Sequence, residues 1–434
     1  MRVKAWFYSR LFGGSASGVF RGMAKLAAGS AAARLVGVAT TPLITRLYAP
    51  ADYGALSIFT SLITMIMPFV AFQYPSAIPL PKHNSVAVNL LSAIVALNVV
   101  TVAIITVGAV LFAPYIGDIT EIPVTGSYIF LLVLGLVGAG LYEIGSMYAT
   151  RLRDYNRIAK TLLVQSLAGR LVQLALGLLG FKVFGLLIGQ IISQSAGAGS
   201  LWRAPLQDLQ RYRHRISVRR MYHALKRYST FPIYRLPAQL LLSVSTETPL
   251  LFVAAIYSTS SAGQFGLAVS MTALPMRLFG RAVTGAYYAE VAALGKKAGA
   301  EIYALTKQVT VRLALLSILP TLALLVFGEP LFALVFGESW RLAGTIAGLL
   351  SITLAPQLIC GGITQGLAVI GKDGYFLLFN LERLASVLIY FAVTYFFELS
   401  ILSSTLVYSL LLAVHRTIQI TLTLRLMRRH AGIT

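Results

Sequence analysis

The feature that most constrains this chain is a succession of twelve apolar stretches, each long enough to cross a lipid bilayer. A spanning helix needs about 20 predominantly apolar residues, because in hydrocarbon each backbone N–H and C=O must bond within its own segment. Such stretches lie near 24–47, 54–80, 86–113, 126–149, 158–180, 182–203, 229–257, 262–292, 305–327, 341–370, 375–396 and 400–424. They predict an all-α polytopic membrane protein. Only 12 % of the 434 residues are charged, against about 25 % in an ordinary soluble domain. Mean hydropathy is +0.78.

The net charge of +22 does not indicate nucleic acid, because the cations fall in short runs between the apolar stretches. Placing the N-terminus in the cytoplasm gathers nearly all loop cations on one side. They are Arg2–Arg21, Lys82, Arg151–Lys160, Arg203–Arg227, Lys296–Lys307, Lys372 and Arg425–Arg429. The opposite side keeps Lys182 and Arg341, with Asp52, Asp118, Glu121, Glu329, Glu338 and Glu398. A missed helix would scramble this pattern downstream, so the positive-inside rule supports both the count and cytoplasmic termini. The interrupted apolar run at the start, with Trp6, Phe7, Leu11 and Phe12, reads as an interfacial entry helix rather than a cleaved leader.

The basic segment 204–228, which contains RYRHRISVRR, divides residues 1–203 from 229–434 as two six-helix halves. It fits either a plain topogenic loop or an amphipathic linker lying on anionic headgroups. The halves carry a weak parallel repeat. LYAPADYGALSIF (47–59) aligns with IYSTSSAGQFGLA (256–268) at an offset of 209, matching Tyr48 with Tyr257 and Gly54 with Gly263. FAPYIG (112–117) and FGEPLFALVFG (327–337) occupy equivalent inter-span positions.

The stretch from Pro42 to Lys82, with its turn of Tyr48, Ala49, Pro50, Asp52, Tyr53 and Gly54, resembles the polysaccharide-transporter branch of the multidrug/oligosaccharidyl-lipid/polysaccharide exporter superfamily. Met147–Leu167 and Gly337–Lys372 carry the resemblance further. It implies a V-shaped transporter of two bundles around a central cavity, alternating between inward-open and outward-open states. The implied cargo is a polyprenyl-pyrophosphate-linked oligosaccharide, moved to the outer leaflet of the bacterial inner membrane during O-antigen, capsule or exopolysaccharide synthesis. The implied partners are the bilayer and the polysaccharide polymerase and chain-length machinery.

Charges at membrane depth point to sites on their own account, since such groups usually face a cavity or a partner. The basic ones are Lys25, Arg34, Arg46, Arg170, Arg235, Arg277, Arg281, Arg312, Arg383 and Arg416, against Glu143, Glu247, Glu290 and Glu382. A lumen with surplus guanidinium attracts pyrophosphate, which arginine grips bidentately. Depth selects Arg34, Arg235, Arg277, Arg281 and Arg170 as the expected pyrophosphate set. Lys25, Arg46 and Arg312 suit headgroup snorkelling. For Arg383, beside Glu382, a local structural role and a cavity role stand equally open. Glu247 is a candidate coupling carboxylate or a cross-cavity ion pair, and Glu143 and Glu290 are gate or anchor pairs. Pro75 and Pro79 mark a hinge or a helix end. Gln165, Gln173, Gln190, Gln194, Gln357, Gln365, Asn380 and Gln419 suit a sugar-lined cavity or interhelical glue. Tyr142, Tyr148, Tyr287 and Tyr288 suit sugar stacking or interface belts.

No histidine or cysteine spacing suggests a metal, and no Walker loop suggests ATP, so no cofactor is expected. The single Cys360 sits in an apolar stretch as a buried thiol. Two other functions stay open. A drug or cation exporter of the same superfamily would need cavity acids. A membrane-embedded sugar transferase or polymerase would need a large external loop with catalytic groups.

Overall fold

The computed structural model describes residues 17–120, 126–276, 280–372 and 374–432, and these form helices and turns without a strand. In chain order the helices are α1 (Ser17–Leu47), α2 (Pro50–Ile66), α3 (Asn84–Thr120), α4 (Gly126–Arg151), α5 (Tyr155–Leu178), α6 (Lys182–Ser195), α7 (Ala198–Arg211) and α8 (Val218–Arg227). They continue as α9 (Leu236–Ile256), α10 (Thr259–Thr272), α11 (Arg281–Leu294), α12 (Gly299–Phe336), α13 (Arg341–Leu350), α14 (Leu354–Ile363), α15 (Gly374–Phe396) and α16 (Ile401–His430). Trp6, Phe7, Leu11 and Phe12 lie outside the described residues.

Ten runs among the described residues are long and apolar enough to cross a membrane. The spans expected at 182–203 and 262–292 are not among these ten runs. The one expected at 182–203 ends at Ser195 and resumes as α7, because Gly197 adopts a left-handed φ of +81°. A Cβ there would collide with the side chain of Thr161. Of the one expected at 262–292, α10 and α11 are described, and residues 277–279 between them lie outside the described residues.

The span expected at 54–80 breaks after α2. Val70 has ψ 115°, and Ala71, Phe72 and Gln73 have φ of 56°, 52° and 61°. Left-handed backbone costs an L-residue about 1–2 kcal/mol. The break has a local cause, since the ring of a proline clashes with the carbonyl four residues before it. Pro75 therefore acts on Ala71, and the bend sits one turn upstream of the prolines themselves.

The described chain forms two compact units. The first comprises residues 1–48 and 59–243, the second residues 49–58 and 244–434. The division thus falls within α9 rather than in the basic segment 204–228.

In the first unit, Ile78, Leu90, Leu91, Ile144 and Tyr148 form a core against which Phe231, Leu225 and Trp202 pack. The Arg151 guanidinium donates to the Pro81 carbonyl and to Asn84, and Asn89 donates to the Arg215 carbonyl. Three of the expected cytoplasmic pieces therefore meet at one end of this unit.

In the second unit, Trp340 is fully buried and meets Tyr53 edge to face at 5.4 Å. Buried Gln264 donates to the Ser339 carbonyl and accepts from the Ala343 N–H, which supplies a bond that the first turn of α13 cannot make internally. At one end Arg341 pairs with Glu329 and Glu338 at 3.1 and 2.8 Å. Elsewhere in the unit His430 meets the Lys296 carbonyl.

Within the second unit, α10 crosses the start of α2 with backbones in contact. A Cβ on Gly54 would strike the Thr259 carbonyl, and one on Gly263 would strike the Pro50 carbonyl. Adding 209 to 50 and to 54 gives 259 and 263, so the two contacts are images of one another under the repeat offset. The matched tyrosines also act alike. The Tyr48 hydroxyl donates to the Gln173 carbonyl at 2.6 Å, and the Tyr257 hydroxyl donates to the Leu399 carbonyl at 2.7 Å.

Overpacking such a crossing costs about 1–3 kcal/mol. Gly54→Leu and Gly263→Leu should each lower the melting temperature of the detergent-purified protein by several degrees. Gly108→Leu, at a site where a Cβ meets nothing, should leave it unchanged. Fluorescence-detected size exclusion after heating measures this, and equal behaviour of the three variants would refute the close crossing.

Candidate functional site

The second unit encloses a cavity of about 300 Å³. Two guanidiniums line it. Arg383 comes from near the midpoint of α15, and Arg416 from near the midpoint of α16. Thr246, Thr272, Thr353, Gln357 and Tyr408 add hydroxyl and amide groups, Met276 and Leu350 add apolar surface, and among the described residues no carboxylate lines it. Two lining atoms, Arg383 Nε and Thr272 Oγ1, are buried without a hydrogen-bond partner among the described residues. A buried unsatisfied polar group costs about 1–3 kcal/mol. The cavity is therefore equipped to donate to an oxygen-rich occupant.

A polar network holds Arg416 in place. Gln419 Oε1 accepts from Arg416 at 3.1 Å and from the Cys360 thiol at 2.7 Å. The Gln419 amide nitrogen lies 3.0 Å from His415 Nε2. His415 Nδ1 lies 3.4 Å from Glu382 Oε2. His415, Gln419 and Cys360 are all buried. Glu247 lies within electrostatic reach of Arg383 and Tyr408.

A family profile described as "Polysaccharide biosynthesis protein" matches residues 43–343. The chain belongs to that family. It is 20 % identical over 343 residues to the succinoglycan biosynthesis transport protein ExoT of Rhizobium meliloti (strain 1021). That match takes in 77 % of the chain, which spans 65 % of the relative's length. Its fold is that of multidrug MATE transporters and lipid flippases. It superimposes on the lipid II flippase MurJ in an inward closed conformation with a TM-score of 0.73 at 12 % identity, covering 92 % of this chain and 87 % of that one. A point mutant of the Vibrio cholerae MATE transporter VcmN gives 0.60 at 15 % identity, covering 95 % and 97 %.

The family member's sequence-selected residues fall in several places. Arg34 and Arg170 lie along one seam of the first unit. Ser166 donates to the carbonyl of Ala33, and the Arg170 guanidinium approaches Gly37 and donates to Gln173 at 2.9 Å. Arg235 is exposed, stands over the Phe231 ring at 5.9 Å and interacts electrostatically with Glu143. Arg277 lies outside the described residues, as does the side chain of Arg281. Glu290 is exposed on α11. Pro75 is buried just beyond the break in span two, and Pro79 follows it.

The buried amides act mainly as glue, with Gln165 bonding the Gln194 carbonyl and Gln173 the Leu186 carbonyl. Three of the four singled-out tyrosines are tied inside the protein. Tyr142 bonds Thr161, Tyr287 bonds Thr306, and Tyr148 donates to Asp208. They are packing residues; Tyr288 is exposed.

Arg383 and Arg416 stand among the membrane-depth cations but outside the expected pyrophosphate set. Successive helical residues point about 100° apart, so Glu382 turns to His415 while Arg383 turns into the cavity. The position of Arg416 near mid-helix was the signal for the other.

Cys360 is the sole cysteine and is 3 % exposed. N-ethylmaleimide should label it in native membranes at least about 100-fold more slowly than in detergent-unfolded chain. Gln419→Ala, which removes its partner, should speed labelling. Equal rates in native and unfolded protein would contradict the network.

Proposed function

We propose that this chain is a flippase that carries a polyprenyl-pyrophosphate-linked oligosaccharide from the cytoplasmic to the outer leaflet of a bacterial inner membrane, by alternating access. It is a transporter rather than an enzyme. The observation that carries the reading is the pair Arg383 and Arg416, presented to one cavity with no carboxylate among its described lining residues. Planar guanidiniums bind phosphate oxygens in parallel pairs and stay charged at any physiological pH. The volume is at the lower edge of the range for small-ligand pockets, which suits a phosphorylated head rather than a whole glycan. Membership in a polysaccharide biosynthesis family and likeness to a succinoglycan biosynthesis transport protein support a glycan-bearing cargo.

The arginines Arg34, Arg170, Arg235, Arg277 and Arg281 join the proposal as further contacts along the path of the head. Glu247, near Arg383, is the candidate for coupling, with Glu143 and Glu290 as gating groups. The left-handed break upstream of Pro75 and Pro79 is the candidate hinge in span two. The basic ends of both units lie in the cytoplasm by the positive-inside rule, which puts both termini there. A polymerase and chain-length machinery on the outer side complete the proposed pathway. A cation exporter is disfavoured because such a cargo calls for carboxylates in the lining.

Charge-assisted hydrogen bonds contribute about 1.5–3 kcal/mol each, or roughly one to two decades in binding. In vesicles holding labelled lipid-linked oligosaccharide, Arg383→Gln and Arg416→Gln should each cut translocation by about 10- to 100-fold. Arg383→Lys and Arg416→Lys should retain an intermediate rate. Wild-type rates in the double glutamine variant would overturn the proposed site.

A further inference from the structure

A second cavity, of about 570 Å³, lies in the first unit and shares no residue with the one described above. Ser85, Val86 and Asn89 from the first turns of α3 form one wall. Ser217 and the α8 residues Arg219, Arg220, His223, Ala224 and Arg227 form the other. Among the described residues no carboxylate lines it, and none of the ion pairs there involves its three arginines.

Asn89, 2 % exposed, fixes the two walls together. Its amide nitrogen donates to the carbonyls of Ser85 and Arg215, and its oxygen accepts from the Ser217 N–H at 3.1 Å. Ser217 in turn caps α8 by accepting from the Arg220 N–H. The Tyr74 hydroxyl donates to the Leu225 carbonyl and holds the far end of α8 down. The arginines are thus mounted on a braced helix rather than on a loose loop.

We propose that this cavity binds the phosphate of an anionic membrane phospholipid at the level of the headgroups. Three features select that ligand. The guanidiniums of Arg219, Arg220 and Arg227 supply donors suited to phosphate oxygens. The cavity opens at the first turn of α3, where that helix enters the apolar span Asn84–Ala113, so its depth is that of the headgroup layer. On α8 the apolar side chains Val218 and Tyr222, one turn apart, are 81 % and 62 % exposed beside the cations. That pairing of basic and exposed apolar groups suits the boundary between headgroups and acyl chains better than open water.

Native mass spectrometry of the full chain in neutral detergent tests this, with dioctanoyl phosphatidylglycerol as probe and dioctanoyl phosphatidylcholine as its uncharged counterpart. The wild type should retain the anionic lipid and not the zwitterionic one. The triple variant R219Q/R220Q/R227Q should lose retention at least about tenfold. R211Q/R213Q/K226Q removes the same charge from the same segment outside the cavity, and should keep it. Equal loss in both variants would reduce the effect to diffuse charge and overturn the site. Retention in the cavity variant would overturn it as well. Binding of inorganic phosphate without lipid retention would assign the cavity to a soluble ligand and overturn the lipid. The readout is binding alone, so it stands or falls separately from translocation.

Discussion

A guanidinium held halfway through a membrane span is the interaction on which the rest depends. Placing such a charge at the centre of a spanning helix costs about 2.5–3.5 kcal/mol on insertion scales. That cost persists only where the side chain meets water, a partner or a ligand. Arg383 and Arg416 meet a cavity lined with hydroxyls and an amide. Arg416 is further held by Gln419, which is itself bonded to Cys360 and His415. The network spends buried polar groups on orienting a cation.

The surrounding helices provide the rigidity such a site requires. Trp340, Phe265, Tyr390 and their neighbours form a close-packed core in the same unit. Gln264 closes the start of α13 inside that core. The crossing of α2 and α10 brings backbones into contact through Gly54 and Gly263. Leu350 and Tyr408 belong both to this core and to the cavity lining, so the core holds the site directly.

Much of the fold was legible in the sequence, because hydrocarbon permits few solutions for a backbone. The apolar runs and the clustering of loop cations located most helices within a few residues. The break at Gly197 was not legible, since it interrupts apolar sequence without a change in composition. The break at 71–73 was only partly so: the prolines announced it, but their steric effect falls one turn earlier. For the candidate site, charge at depth lists both cavity arginines, whereas sequence adjacency says little about where a helical side chain points. Arg383 and Glu382 are adjacent in sequence, yet the helix turns the two to different neighbours. His415 and Gln419 carry no signal alone, and their role emerges when α14, α15 and α16 are brought together.

The most direct measurement is a cryo-electron microscopy map of the full chain in lipid nanodiscs with a polyprenyl-pyrophosphate-linked oligosaccharide. The account predicts phosphate density within hydrogen-bonding distance of both Arg383 and Arg416, with Gln419 still holding Arg416. Cargo bound elsewhere, with those two guanidiniums closed onto carboxylates and their cavity filled by side chains, would contradict it.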